Sequence, residues 1–121
     1  MANYKKLDTD LISEENTHIV IDEESFSNNS YHNYEILKCN NNKLLCEIHF
    51  QEGPINEVGC NGIFIEDLIN ICINRLENFQ KSDFSCHENA VAITKLEESL
   101  MWLRKRTNNR IKRGVQGYYK K

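Results

Sequence analysis

The chain reads as an α+β protein: a small N-terminal antiparallel β-sheet, then a helical hairpin with a long C-terminal helix, homodimerising through the helices. Three observations carry that reading. Leu44, Cys46, Ile48 and Phe50 alternate with Leu45, Glu47 and His49, the period of a strand with one buried face. Ile65, Leu68, Ile69, Cys72, Leu76 and Phe79 recur at helical spacing, and from Cys86 the series Ala92, Ile93, Leu96, Leu100, Leu103 carries that spacing on to about Lys112.

Taken in order, Met1 to Ser30 is polar and acidic, with one apolar run at His18-Ile19-Val20-Ile21 that suits an edge strand after a loose leader. Ser27-Asn28-Asn29-Ser30 is a turn signal. Two strand-like runs follow, Tyr31–Cys39 and Lys43–Phe50, joined by Asn40-Asn41-Asn42, so a sheet of two or three strands is expected. Such a sheet does not stand alone. The division expected is a single domain with a β-sheet portion at 1–52, a loop at 53–63 holding the only proline, Pro54, and a helical hairpin at 64–117.

The first helix of the hairpin should run four to five turns, with Ile71 and Ile73 off its main stripe, as in a helix with two partners. Ser85-Cys86-His87-Glu88 has capping-box spacing, while Phe84 faces Asn89 and forms no hydrophobic staple. The second helix should end at Gly114 as its C-cap after roughly 26 residues, about 40 Å. Its partner is barely half as long, so Met101, Trp102 and Leu103 overhang and call for a second copy of the chain.

Charge is split along the chain. Residues 1–60 carry eleven acids and four Lys/Arg, a net of −7; residues 61–121 carry seven acids and eleven Lys/Arg, a net of +4. The total of −3 argues against a protein that coats long nucleic acid. No apolar run approaches 18 residues and no N-terminal hydrophobic stretch is present, so neither a membrane span nor a secretory signal is expected. Five cysteines (Cys39, Cys46, Cys60, Cys72, Cys86) form no disulfide framework and read as small buried hydrophobes in a reducing compartment. Cys60 with Cys86-His87 lacks the Cys-x-x-Cys pairing of a metal site, and no metal or cofactor is expected. Catalytic signatures are missing too: the 53–62 loop lacks the Lys-Ser/Thr of a P-loop, and Glu88 of the His87-Glu88 pair is taken up as a cap. The chain reads as a binder without a reaction.

Trp102, Arg106, Arg110 and Arg113 fall on one helical stripe, and no acid follows Glu98. An indole followed by guanidinium forks suits a base with its phosphates; the competing reading is a solvated basic helix end complementing its own dipole. Asn89 and Arg106 are 17 residues apart, about 26 Å along one helix, and cannot share a small ligand within one chain. Two long helices packed antiparallel would bring the Arg end of one to Phe79, Phe84 and Asn89 of the other, giving two composite pockets. Against this, Phe79 also continues the core stripe, Phe84 suits a turn plug, and Asn89 suits an exposed filler.

A wider set of motifs carries a resemblance. Gly53-Pro54-Ile55-Asn56-Glu57-Val58-Gly59-Cys60-Asn61-Gly62, Glu66-Asp67-Leu68, Arg75-Leu76-Glu77-Asn78-Phe79-Gln80 and Cys86-His87-Glu88-Asn89-Ala90 are followed by Thr94-Lys95-Leu96-Glu97-Glu98 and Met101-Trp102-Leu103. The series closes on Arg104-Lys105-Arg106-Thr107 and Arg110-Ile111-Lys112-Arg113-Gly114-Val115-Gln116-Gly117. Over about residues 45–117 the chain resembles the phage Thoeris anti-defence protein 1 family. A related family of phage sponges for cyclic-oligonucleotide signals shares the helical tail pattern, but the sheet segment here favours the Thoeris type.

The resemblance implies a homo-oligomeric protein of the host cytoplasm that captures intact a cyclic ADP-ribose isomer made by a bacterial TIR-domain enzyme. It implies Phe79, Asn89, Arg106 and Arg110 as ligand contacts shared between subunits, with Phe79 stacking on adenine and the arginines on the diphosphate. His87 departs from the family pattern, where Arg is commoner, and Gln116 stands where Glu is usual. The alternatives are a sponge for cyclic di- or trinucleotides, a nucleic-acid binder using the basic tail helix, a phosphodiesterase-like enzyme, and a purely structural phage oligomer.

Overall fold

Four strands build the sheet, where two or three are expected. β1 (Tyr4–Lys6), β2 (Thr17–Asp22), β3 (Asn33–Lys38) and β4 (Leu44–His49) form an antiparallel meander in the order β1-β2-β3-β4. The structure, a computed structural model, describes residues 3–9 and 15–118, and the remainder of the expected leader lies outside these. The run His18–Ile21 is not at the edge, because Tyr4–Lys6 pairs on its outer side with Lys5 opposite Ile21. A three-residue Tyr-Lys-Lys strand has no apolar alternation to betray it, and lysine suits a sheet edge.

The sheet core runs across the strands. Ile21 (6% exposed) lies opposite Tyr34, which lies opposite Ile48, and the Tyr34 ring meets Phe50 edge-on at 5.6 Å. The opposite face is acidic: Glu35 sits directly across from Glu47, and Glu35 is the main cause of a raised Tyr4 phenol pKa. Between β2 and β3, Asp22 caps a short 3₁₀ turn (Glu23–Ser25), and Ser27–Ser30 closes tightly with Asn28 and Asn29 both at positive φ. Ser25 Oγ accepts the His32 and Asn33 amides at 3.1 Å, and the buried His32 donates from Nε2 to the Ser27 carbonyl at 2.8 Å. A register slip at Ile36/Leu37 interrupts the β3–β4 ladder, so the expected alternation fails at its start: Leu44 and Leu45 are both exposed.

The 53–62 segment contains one helical turn, α1 (Ile55–Val58), and is pinned by Gln51. Gln51 Nε2 donates to the Gly53 and Gly59 carbonyls while its Oε1 accepts the Asn61 amide. Gly62 is required here because a Cβ would lie 2.5 Å from the Phe50 carbonyl carbon.

Contacts divide the chain between Ile63 and Phe64 into two compact units, sheet with loop, and helices. In the second unit, α2 (Ile65–Gln80) and α3 (His87–Lys112) form the expected hairpin. Asp67 accepts the Phe64 amide at 2.8 Å at the start of α2. The packed seam differs from the expected stripe. On α2 it is Ile69, Ile73, Leu76 and Gln80, with Ile73 buried (8% exposed), whereas Ile65, Cys72 and Phe79 are exposed. Half-buried residues of α3 repeat at alternating steps of four and three, Asn89, Ile93, Leu96 and Leu100 along α2, then Leu103, Thr107 and Arg110 on the same line beyond it. A 3.5-residue repeat is what two helices need to stay in contact, and it brings Ile73 to the seam.

The expected Ser85 capping box is not used. Cys86 is the N-cap of α3, with no side-chain cap bond. Gln80 replaces it: Oε1 accepts the Cys86 amide and Nε2 donates to the Cys86 carbonyl, both at 2.9 Å. The other end follows expectation. Gly114 (φ 72°) bonds back to Ile111 and Val115 to Arg110, the paired bonds of a glycine-terminated helix. All five cysteines are exposed thiols outside any disulfide, against the expectation of burial. Among the described residues no helix is long and apolar enough to cross a membrane, and no three His, Cys, Asp or Glu side chains are placed to hold a metal ion.

Candidate functional site

The hairpin turn is held rigid from inside and presents aromatic rings outside. Besides the Gln80 latch, Ser82 Oγ donates to the Phe79 carbonyl at 2.6 Å and accepts the Phe84 amide at 3.1 Å. Phe84 is therefore fixed through its backbone while its side chain is 78% exposed, so it plugs nothing. Phe79 is 38% exposed, with the Arg75 guanidinium carbon 5.3 Å from its ring centre. Asn89, in the first turn of α3, is half-buried on the seam side rather than an exposed filler.

The other candidates lie on the far half of α3. That helix is continuous for 26 residues against 16 in α2, so its last two to three turns extend past α2. Trp102 (63% exposed), Lys105, Arg106, Asn109 and Arg113 line one shallow groove of about 300 Å³. Lys105 Nζ sits 5.0 Å from the centre of the Trp102 ring, so a cation of the chain itself already occupies that aromatic system. Met101 is 71% exposed on the adjacent face, beside Arg104 and Lys105.

Arg110 leaves this groove. The seam repeat that includes Leu103 and Thr107 also includes Arg110, and its side chain folds onto the segment that follows the helix. Nε donates to Gln116 Oε1 at 3.2 Å, and one terminal nitrogen donates to the Val115 and Tyr118 carbonyls at 2.9 Å. Gln116 is thus an Arg110 partner, meeting it with a neutral amide oxygen where the family pattern has a carboxylate. Lys95 and Glu98 form the expected exposed pair at 3.8 Å.

The candidates therefore gather in two places within one chain: Phe79, Phe84 and Asn89 at the turn, and Trp102, Arg106 and Arg113 on the overhang, with Arg110 beside them but turned to the tail. Asn89 and Arg106 remain about 26 Å apart along the continuous helix. Sequence reasoning missed Arg75, Gln80, Lys105 and Asn109. Two of these were legible in spacing, since Arg75 is four residues before Phe79 and Lys105 three after Trp102.

These features define a class: α+β proteins whose antiparallel helical hairpin separates an aromatic turn from a basic helix end. Residues 42–108 match a family model described as "Acb2/Tad1, hairpin domain", and the chain belongs to that family. The chain is also 57% identical over 77 residues to a protein named Thoeris anti-defense 1 from Bacillus phage SBSphiJ7. That match covers 64% of this chain and 54% of the relative, so the chain spans about half the length of the curated relative it matches.

Proposed function

We propose that this is a phage anti-defence protein of the host cytoplasm that binds a cyclic ADP-ribose isomer made by a Thoeris TIR-domain enzyme and withholds it, unaltered, from its effector. The observation that carries this reading is the separation of an exposed aromatic turn from an acid-free basic helix end, in a chain 57% identical over 77 residues to a Thoeris anti-defense 1 protein. One subunit holds the stacking half of a site and the anion-binding half at opposite ends of α3. Two subunits packed antiparallel through their long helices supply both halves twice, with Phe79 and Asn89 from one chain and Arg106 and Arg113 from the other. Arg110 joins the phosphate contacts from its place on the tail. Overhanging Met101 and Trp102 give the second copy an apolar surface to cover. Sequestration needs affinity rather than chemistry, and charge-assisted hydrogen bonds in a pocket closed by a second chain supply it.

Calorimetry with cyclic ADP-ribose isomers, coupled to sedimentation, tests this. The expected result is one ligand per subunit bound to a dimer, intact on release by heat, and Arg106→Ala weakening binding about 10- to 100-fold, the loss of one charge-assisted contact. A monomer with no affinity for any isomer, or release of a hydrolysed product, overturns it. Because the helical tail also resembles the phage sponges for cyclic-oligonucleotide signals, cyclic di- and trinucleotides form a second ligand arm of the same titration. Binding to duplex DNA with a steep salt dependence would favour the tail helix as a nucleic-acid surface instead.

A further inference from the structure

Arg75 is the only Lys or Arg in α2, and helix geometry gives it no acid to pair with: the residues three and four positions away are Ile71, Cys72, Asn78 and Phe79. Among the described residues it forms no ion pair, and its guanidinium lies against the Phe79 ring. A single uncompensated cation inside an exposed, partly apolar stripe has little structural use there. Contact with a ring engages the face of a guanidinium and leaves its in-plane N–H donors for an anion.

We propose that Arg75 is a further ligand-binding residue, holding a phosphate of the nucleotide whose base stacks on Phe79. This rests on the nucleotide-binding reading above and narrows it. With the guanidinium carbon 5.3 Å from the ring centre, an anion on Arg75 lies close to the stacked base. The ligand class selected is a compact nucleotide with its phosphates folded back toward the base, not an extended strand.

The test is calorimetry of the full chain and its Arg75→Gln and Arg75→Lys variants with a cyclic ADP-ribose isomer at low and high potassium chloride. Arg75→Gln is expected to bind about 10- to 50-fold more weakly at low salt and to lose part of the salt dependence, while Arg75→Lys, which keeps the charge without the planar fork, is expected to retain the salt dependence. Unchanged affinity in Arg75→Gln overturns the proposal. So does a loss in Arg75→Gln that leaves the full salt dependence in place, because that points to a role in shaping Phe79 alone. Absence of binding by the wild-type chain is a separate result: it removes the nucleotide reading itself, and this inference with it.

Discussion

At the scale of single residues, the side chains that organise the helical unit are mostly neutral amides. Gln80 closes both hydrogen-bonding groups of the Cys86 peptide, a task the sequence spacing assigns to Ser85 and Glu88. The two assignments separate experimentally. Gln80→Ala leaves the Cys86 amide without its partner and its carbonyl with the Ala90 amide alone, and should lower stability by about 1–2 kcal/mol, whereas Ser85→Ala should stay within about 0.5 kcal/mol, both read from thermal melts. The capping-box pattern misled because it is local. A glutamine from the preceding helix reaches the same peptide only after the hairpin has formed, and no spacing rule within 85–88 encodes it. Arg110 teaches the same lesson in reverse: on a helical wheel it joins Arg106 and Arg113, but the glycine that ends α3 turns the chain back and offers carbonyls that capture it.

At the scale of elements, the strongly periodic parts were legible and the weakly patterned ones were not. The limits of α2 and α3, the Gly114 terminus, and strands β3 and β4 follow from apolar period and turn residues. β1 escaped because three exposed edge residues carry no period, and β2 was misplaced as an edge for the same reason. The α2 seam was misjudged by choosing a 3.6-residue stripe, which fits a lone amphipathic helix, over the 3.5-residue repeat that α3 repeats. That choice has a measurable consequence. Ile73→Ala should cost about 2–4 kcal/mol and lower Tm on the order of 10 °C, while Ile71→Ala, removing a side chain open to solvent, should change little. A loss at Ile73 as small as that at Ile71 would return the seam to the 3.6-residue stripe, which leaves both positions out.

At the scale of the whole molecule, the charge division seen along the sequence becomes a division between units: an acidic sheet face at Glu35 and Glu47, and a helix whose last four turns are free of acids. The candidate site was legible in kind, aromatic rings and arginines, but not in its grouping. Grouping depends on which positions the α2 seam consumes, and on how far α3 outruns its partner.

Five solvent-facing thiols spread over both units turn the unmodified protein into its own set of reporters. Cys72 lies on the outer side of α2, Cys86 starts α3, Cys60 marks the glycine loop, and Cys39 and Cys46 mark one end and the middle of the β3–β4 hairpin. A chromogenic disulfide reagent should titrate all five from dilute, undenatured protein. Shielding of Cys72 or Cys86 at higher concentration would map a subunit contact without introducing a label, and five equally fast thiols at every concentration would place that contact elsewhere.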